Sequence, residues 1–160
     1  MTVKVGVVGA GNMGQTHARD LIADQRVQIV GIADVVREKA DALARETHSR
    51  AFESVDALFG AGVDAIYVTT PNTKHAPAVL AALARNVHVF SEKPMATTLA
   101  EARQIRDAAR QSKAIYQIGL NRRFAPAYQF VKEKIAEGFQ PYLANAKQND
   151  GDWLNPPWIT

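Results

Sequence analysis

The feature that most constrains this chain is an alternation. Short runs rich in β-branched residues, at 3–8, 27–33, 65–68, 87–90 and 115–118, are separated by longer amphipathic stretches. Each run is almost wholly apolar, as expected of parallel strands covered on both faces. Ala51 and Phe52 offer one more short strand. Between the runs, residues 12–23, 37–47, 54–59, 77–85 and 99–111 place apolar side chains at helical spacing, with polar ones opposite. Thr98 followed by Glu101 forms a capping box, and Ser54 is placed to cap the short helix after it. Strand and helix taking turns predict a parallel α/β sheet with right-handed crossovers.

Size and composition narrow what such a sheet can do. With 160 residues the chain can build one well-cored domain and a short appendage. Its 19 basic and 16 acidic side chains are scattered, and no basic run tracks a phosphate backbone, so nucleic acid is not an expected partner. Having no cysteine, it has no disulfide, no thiolate nucleophile and no Cys-ligated zinc; the four histidines lack metal-ligand spacing, so no metal is expected. No signal peptide precedes the first strand, and no window approaches the roughly 20 apolar residues of a membrane span. A cytoplasmic protein is the expectation, with no membrane partner.

The rhythm changes after Ile118. Residues 126–137 read as a further helix closed by Gly138, and 141–148 as a strand. Residues 151–160 add prolines and two tryptophans. Phe130, Val131, Ile135, Tyr142, Trp153 and Trp158 all call for burial that the first sheet has little room to provide. Residues 1–120 are therefore expected to form the sheet domain. Residues 121–160 are expected to hold a linker, a helix and the start of an incomplete α+β domain, completed by further chain or by another subunit.

The strongest local motif is Gly9-Ala10-Gly11-Asn12-Met13-Gly14, which leaves the first strand and opens the first helix. Gly9 permits the tight turn, Gly11 keeps a Cβ out of the path of a pyrophosphate, and Gly14 lets helix and strand approach closely. Asn12 and Met13 then offer backbone N–H groups at the positive end of a helix. Asp34 ends the second strand, 20 residues after Gly14, where a carboxylate can accept from ribose hydroxyls and would repel a 2′-phosphate. These residues predict a Rossmann-type dinucleotide site that prefers NAD. Arg37, close by, leaves NADP as the less favoured cofactor, and a methyltransferase-type site is a further alternative.

Later motifs, taken in order, are Thr69-Thr70-Pro71-Asn72 with His75, then Ser91-Glu92-Lys93-Pro94, then Gly119-Leu120-Asn121-Arg122-Arg123-Phe124. Together with the glycine loop they resemble the glucose-fructose oxidoreductase, inositol dehydrogenase and rhizopine-catabolism (Gfo/Idh/MocA) family over roughly the first 125 residues. The resemblance implies hydride transfer between nicotinamide and a hydroxyl-bearing carbon of a sugar or cyclic polyol. It implies that Lys93 is catalytic, lying beside the nicotinamide and the reacting oxygen, and that Glu92 lies on the cofactor side of the same loop. Thr70, Pro71 and Asn72 are implied cofactor contacts. His75 either faces the nicotinamide edge or ends a turn before the helix near Pro77. Asn121 and Arg122 are implied to stand near nicotinamide and substrate. His17 and His88 read as structural.

The sequence departs from the family in two ways. Ala125 stands where the family often has an acid before the proline, and nothing matches the Asp and His that typically share proton transfer with the lysine. On that reading the chain is a truncated form whose cofactor binding survives without full turnover, the full-length form being a homo-oligomer. A non-catalytic NAD sensor or partner module, acting through the tryptophan-containing tail, is the alternative function.

Overall fold

The computed structural model describes residues 2–142 and divides into two units, one ending at Gly119 and the other beginning at Leu120. In the first unit the strands are β1 (Val3–Val8), β2 (Val27–Ala33), β3 (Arg50–Phe52), β4 (Ala65–Val68), β5 (His88–Ser91) and β6 (Tyr116–Ile118). The helices are α1 (Asn12–Ile22), α2 (Arg37–Glu46), α3 (Val55–Gly60), α4 (His75–Leu83) and α5 (Leu99–Gln111). All strand pairs are parallel, in the order β3-β2-β1-β4-β5-β6. The strand order reverses direction between β1 and β4, and in open sheets of this kind ligands collect outside the carboxyl ends of the strands at that point.

Side-chain alternation sends each strand to two cores. Val5 and Val7 of β1 join Ala18 and Leu21 of α1 and Ala40 and Leu43 of α2 on one face. Val8, with Ile66 and Val68 of β4, packs on the other face with Leu58 of α3, Val79 and Leu83 of α4, and Ile105 of α5. In β2 the alternation slips. Val5 pairs with Ile29 and Gly6 with Gly31, so Val30 is an unpaired extra residue. The bulge lets Ile29 and Ile32, three apart, share the α1 and α2 face, because one extra residue restores the facing that a regular strand would invert.

Several element starts differ by one or two residues from the expected ones, and two have a clear local cause. Helix α4 begins at His75 rather than Pro77, and Pro77 sits in the first turn, where its missing N–H has no intrahelical acceptor to lose. Strand β5 begins at His88 rather than Val87, because the Val87 N–H still donates to Ala82 O (3.0 Å), closing α4 behind the left-handed Asn86 (φ 56°). Ser54 and Thr98 cap α3 and α5 as expected, and the Thr98–Glu101 capping box is complete.

In the second unit a 3₁₀ turn (Asn121–Phe124) leads into α6 (Pro126–Ala136). Pro126 occupies the first turn, where proline's fixed φ suits a helix start. Of the expected strand at 141–148, Pro141 and Tyr142 form none. Its remainder, with Trp153 and Trp158, lies outside the described residues. No helix among the described residues is long and apolar enough to cross a membrane.

Candidate functional site

Because every strand runs the same way, the loops after β1, β2, β4 and β5 all emerge at one edge of the first unit. Those loops carry most of the residues singled out in the sequence. Gly9 has φ +102°, and a Cβ there would come within 2.8 Å of the backbone of Thr69 and Thr70. Gly14 is held so closely that a Cβ would overlap the Gly9 carbonyl oxygen. Gly11 differs: nothing stands within 4 Å of where its Cβ would be, so the backbone there is open to approach.

Helix α1 begins with no side-chain cap and no acidic residue in its first turn. Its leading N–H groups, around the exposed Asn12 and Met13, are suited to an anion, since unpaired amides and the helix dipole both favour negative charge there. Thr69 at the end of β4 fastens the loop: its hydroxyl donates to Gly9 O (2.8 Å), with Val8 O also within reach (3.1 Å). Thr69 belongs to the motif read in the sequence, but no role is assigned to it there.

Asp34 is tied down at both oxygens. One accepts from the Ala10 N–H (2.7 Å) and the other from the Val36 N–H (2.8 Å), which fixes the carboxylate between the glycine loop and its own loop. Arg37 is paired with Asp41 (3.0 Å) and Glu53 (3.2 Å). Exposed pairs of this kind are weak, typically about 0–1 kcal/mol.

Thr70, Pro71 and Asn72 form the loop after β4, which enters a 3₁₀ turn (Asn72–Lys74). The Thr70 hydroxyl is buried and without a hydrogen-bond partner among the described residues. Such an atom is costly unless a ligand or water completes it. His75 closes the 3₁₀ turn and opens α4, as one of the two expectations had it, and its ring is fully buried. Nδ1 faces Pro94 O (2.8 Å) and Nε2 faces Thr70 O (2.9 Å). Both ring nitrogens therefore face backbone carbonyls of the two loops, and the ring N–H donates to one of them.

Glu92 and Lys93 follow β5, with Lys93-Pro94 in the cis form and Lys93 exposed. His17 Nε2 of α1 donates to Glu92 Oε1 (2.8 Å), and the Lys93 N–H donates to Glu92 Oε2 (3.2 Å). The His17 hydrogen bond holds the Glu92 carboxyl below its ordinary range against the opposing effect of burial, with smaller help from the Lys93 N–H and the nearby positive charges. The His17 ring also lies edge-on to Phe90 (centroids 5.1 Å apart) and beside Tyr67 (5.5 Å). His17 is thus more than a core histidine. Its signal was in the sequence: it stands one helical turn after Gly14, on the face that meets the sheet. His88 stays structural, its Nδ1 accepting from the Ile115 N–H (2.9 Å).

Asn121 and Arg122 lie in the second unit, exposed on its 3₁₀ turn. Among the described residues, no group of three or more His, Asp or Glu side chains is placed to hold a metal ion.

Known proteins share this arrangement. Residues 3–120 match the family model for the Gfo/Idh/MocA oxidoreductases, described as a NAD-binding Rossmann fold. The chain is 40% identical to an inositol 2-dehydrogenase of Paracoccus denitrificans, over 86% of this chain and 42% of that protein. It is 32% identical to a glucose-6-phosphate 3-dehydrogenase of Bacillus subtilis, over 82% and 37%. Among solved structures, a myo-inositol dehydrogenase from Lactobacillus casei in complex with NAD(H) and myo-inositol superposes with a TM-score of 0.82 at 33% identity, covering 86% of this chain and 42% of that one. The chain spans about two fifths of the length of the curated relatives it matches. With the family model covering most of its length, the chain belongs to the Gfo/Idh/MocA oxidoreductase family and carries that family's NAD-binding Rossmann fold.

Proposed function

We infer that this chain is the nucleotide-binding part of an NAD-dependent dehydrogenase, one that moves a hydride between nicotinamide and a hydroxyl-bearing carbon of a cyclic polyol or sugar. The observation that carries the reading is Asp34, pinned by two backbone N–H groups at the end of β2 with its carboxylate held beside the glycine loop. A carboxylate there accepts from both ribose hydroxyls and opposes a 2′-phosphate.

The remaining residues fit the same ligand. The uncapped start of α1 with Gly11, Asn12 and Met13 would receive the pyrophosphate, and the Thr70 loop with Pro71 and Asn72 would cover the cofactor. The unpartnered Thr70 hydroxyl supports this assignment. When bound, the nicotinamide supplies the hydride acceptor. Lys93 would then hold its ammonium at the reacting oxygen and stabilise the negative charge that develops there. Glu92, engaged by His17 and by the Lys93 N–H, would shape the loop rather than take the proton. We assign residues 1–120 to the nucleotide domain. Residues 121–160, with Asn121 and Arg122 on the substrate side, we assign to the linker, helix and start of the substrate domain.

Calorimetric titration of this chain with NADH and with NADPH tests the reading. NADH is expected to bind more tightly, and Asp34→Ala is expected to weaken it about 10- to 100-fold, the range of one or two charge-assisted hydrogen bonds. Preference for NADPH would transfer the decision to Arg37, and binding of neither would overturn the nucleotide site.

A further inference from the structure

Lys93 is exposed, and its ammonium makes no hydrogen bond or ion pair among the described residues. Its position is inherited from its two neighbours in sequence. Each of those neighbours is held by a histidine from a different helix. On one side, His17 of α1 bonds Glu92 (2.8 Å) and lies against both the Phe90 and Tyr67 rings, which stack on each other at 4.8 Å. On the other, His75 at the start of α4, fully buried, bonds the Pro94 carbonyl (2.8 Å). Its second nitrogen faces the Thr70 carbonyl (2.9 Å), so the Lys93 loop and the Thr70 loop are spaced by a single ring.

We propose that His17 and His75 are positioning residues for Lys93, one strut on each flank of the loop, and that together they tie the glycine-loop helix, the Thr70 loop and the Lys93 loop into one frame. The proposal rests on the reading of Lys93 as the nicotinamide-side lysine. The physical need is plain. A lysine side chain has four rotatable bonds, and an error of about 1 Å in a reacting group costs on the order of a hundredfold in rate. Fixing the backbone on both sides of Lys93 confines the ammonium to what its own side chain can sweep. Neither imidazole touches the reacting atoms; each acts through the residue beside Lys93.

The test uses this chain with isotope-labelled methyl groups placed on its lysine amines, which keeps the amines charged. The Lys93 signal is assigned by its loss in Lys93→Arg. In the wild type, saturating NADH is expected to move the Lys93 signal and to leave that of Lys113, at the far end of α5, in place. In His17→Gln and in His75→Gln, also at saturation, the Lys93 shift is expected to fall by about half or more, while Lys113 stays unmoved. Glu92→Gln, which keeps an oxygen for the His17 bond, is expected to retain most of the shift. An undiminished Lys93 shift in the two histidine variants overturns the proposal. Should His75→Gln fail to fold, His17→Gln decides, its side chain being partly exposed and its loss milder. A wild-type Lys93 signal that ignores NADH while Lys93→Arg still binds it overturns the placement of Lys93 itself, a different failure from an intact shift in the variants.

Discussion

Glu92 shows how one side chain is set by its neighbours. Its carboxyl is held below the ordinary range by the His17 hydrogen bond, and burial, which would raise it, loses. A folded-state value below the unfolded one means that the ionised form favours folding. That contribution is fully present above the unfolded value and is lost as pH falls through the folded one. Glu92→Gln removes it. At neutral pH the variant is expected to be less stable by about 1 kcal/mol, and the gap should close as pH drops below the usual glutamate range. Urea denaturation at a series of pH values measures this; a gap that is constant across the series would refute the assigned cause. The glycines make a complementary point: Gly9 and Gly14 are demanded by backbone crowding, whereas Gly11 faces open space, which is what a ligand approach requires.

Helix starts divide the elements of the first unit into two kinds. Helices α3 and α5 close their first turns with Ser54 and Thr98, while α1 has no side-chain cap and no acid there. The two side-chain caps serve the fold, and α1, which like α2 and α4 lacks one, leaves its N–H groups beside the open Gly11 backbone for an anion. Thr98→Ala is expected to cost about 1 kcal/mol, read from the urea midpoint, with no change in the NADH affinity of the folded protein. A loss of affinity beyond the loss of stability would contradict that separation. Strand β2 shows a different kind of element-level device. Its bulge at Val30 keeps Ile29 and Ile32 on the same core, and so sets the strand end from which Asp34 emerges.

The first unit stands on two cores, one on each face of the sheet. Ile105, fully buried against the α3, α4 and α5 face, joins α5 to that core. Ile105→Ala is expected to destabilise by about 2–5 kcal/mol while the folded fraction retains NADH affinity; denaturation together with titration checks both halves. The second unit is different in kind. Phe130, Val131 and Ile135 of α6 are 59%, 54% and 50% exposed. Apolar exposure on this scale is of the kind that interaction surfaces carry.

Much of this was legible in the sequence because it is local. Apolar runs declared the strands, helical spacing declared the helices, and the capping residues declared their starts. The glycine loop and Asp34 declared the dinucleotide edge, since φ requirements and strand-end positions leave a mark on neighbouring residues. What tertiary structure alone decided depends on residues far apart in the chain. The bulge in β2 depends on pairing with β1. The placement of the two His75 nitrogens against the Thr70 and Pro94 carbonyls, and the reach of His17 to Glu92 across 75 positions, depend on which loops the sheet order brings side by side. A histidine's spacing shows which face it occupies. Only the packed sheet shows what waits there to accept its proton.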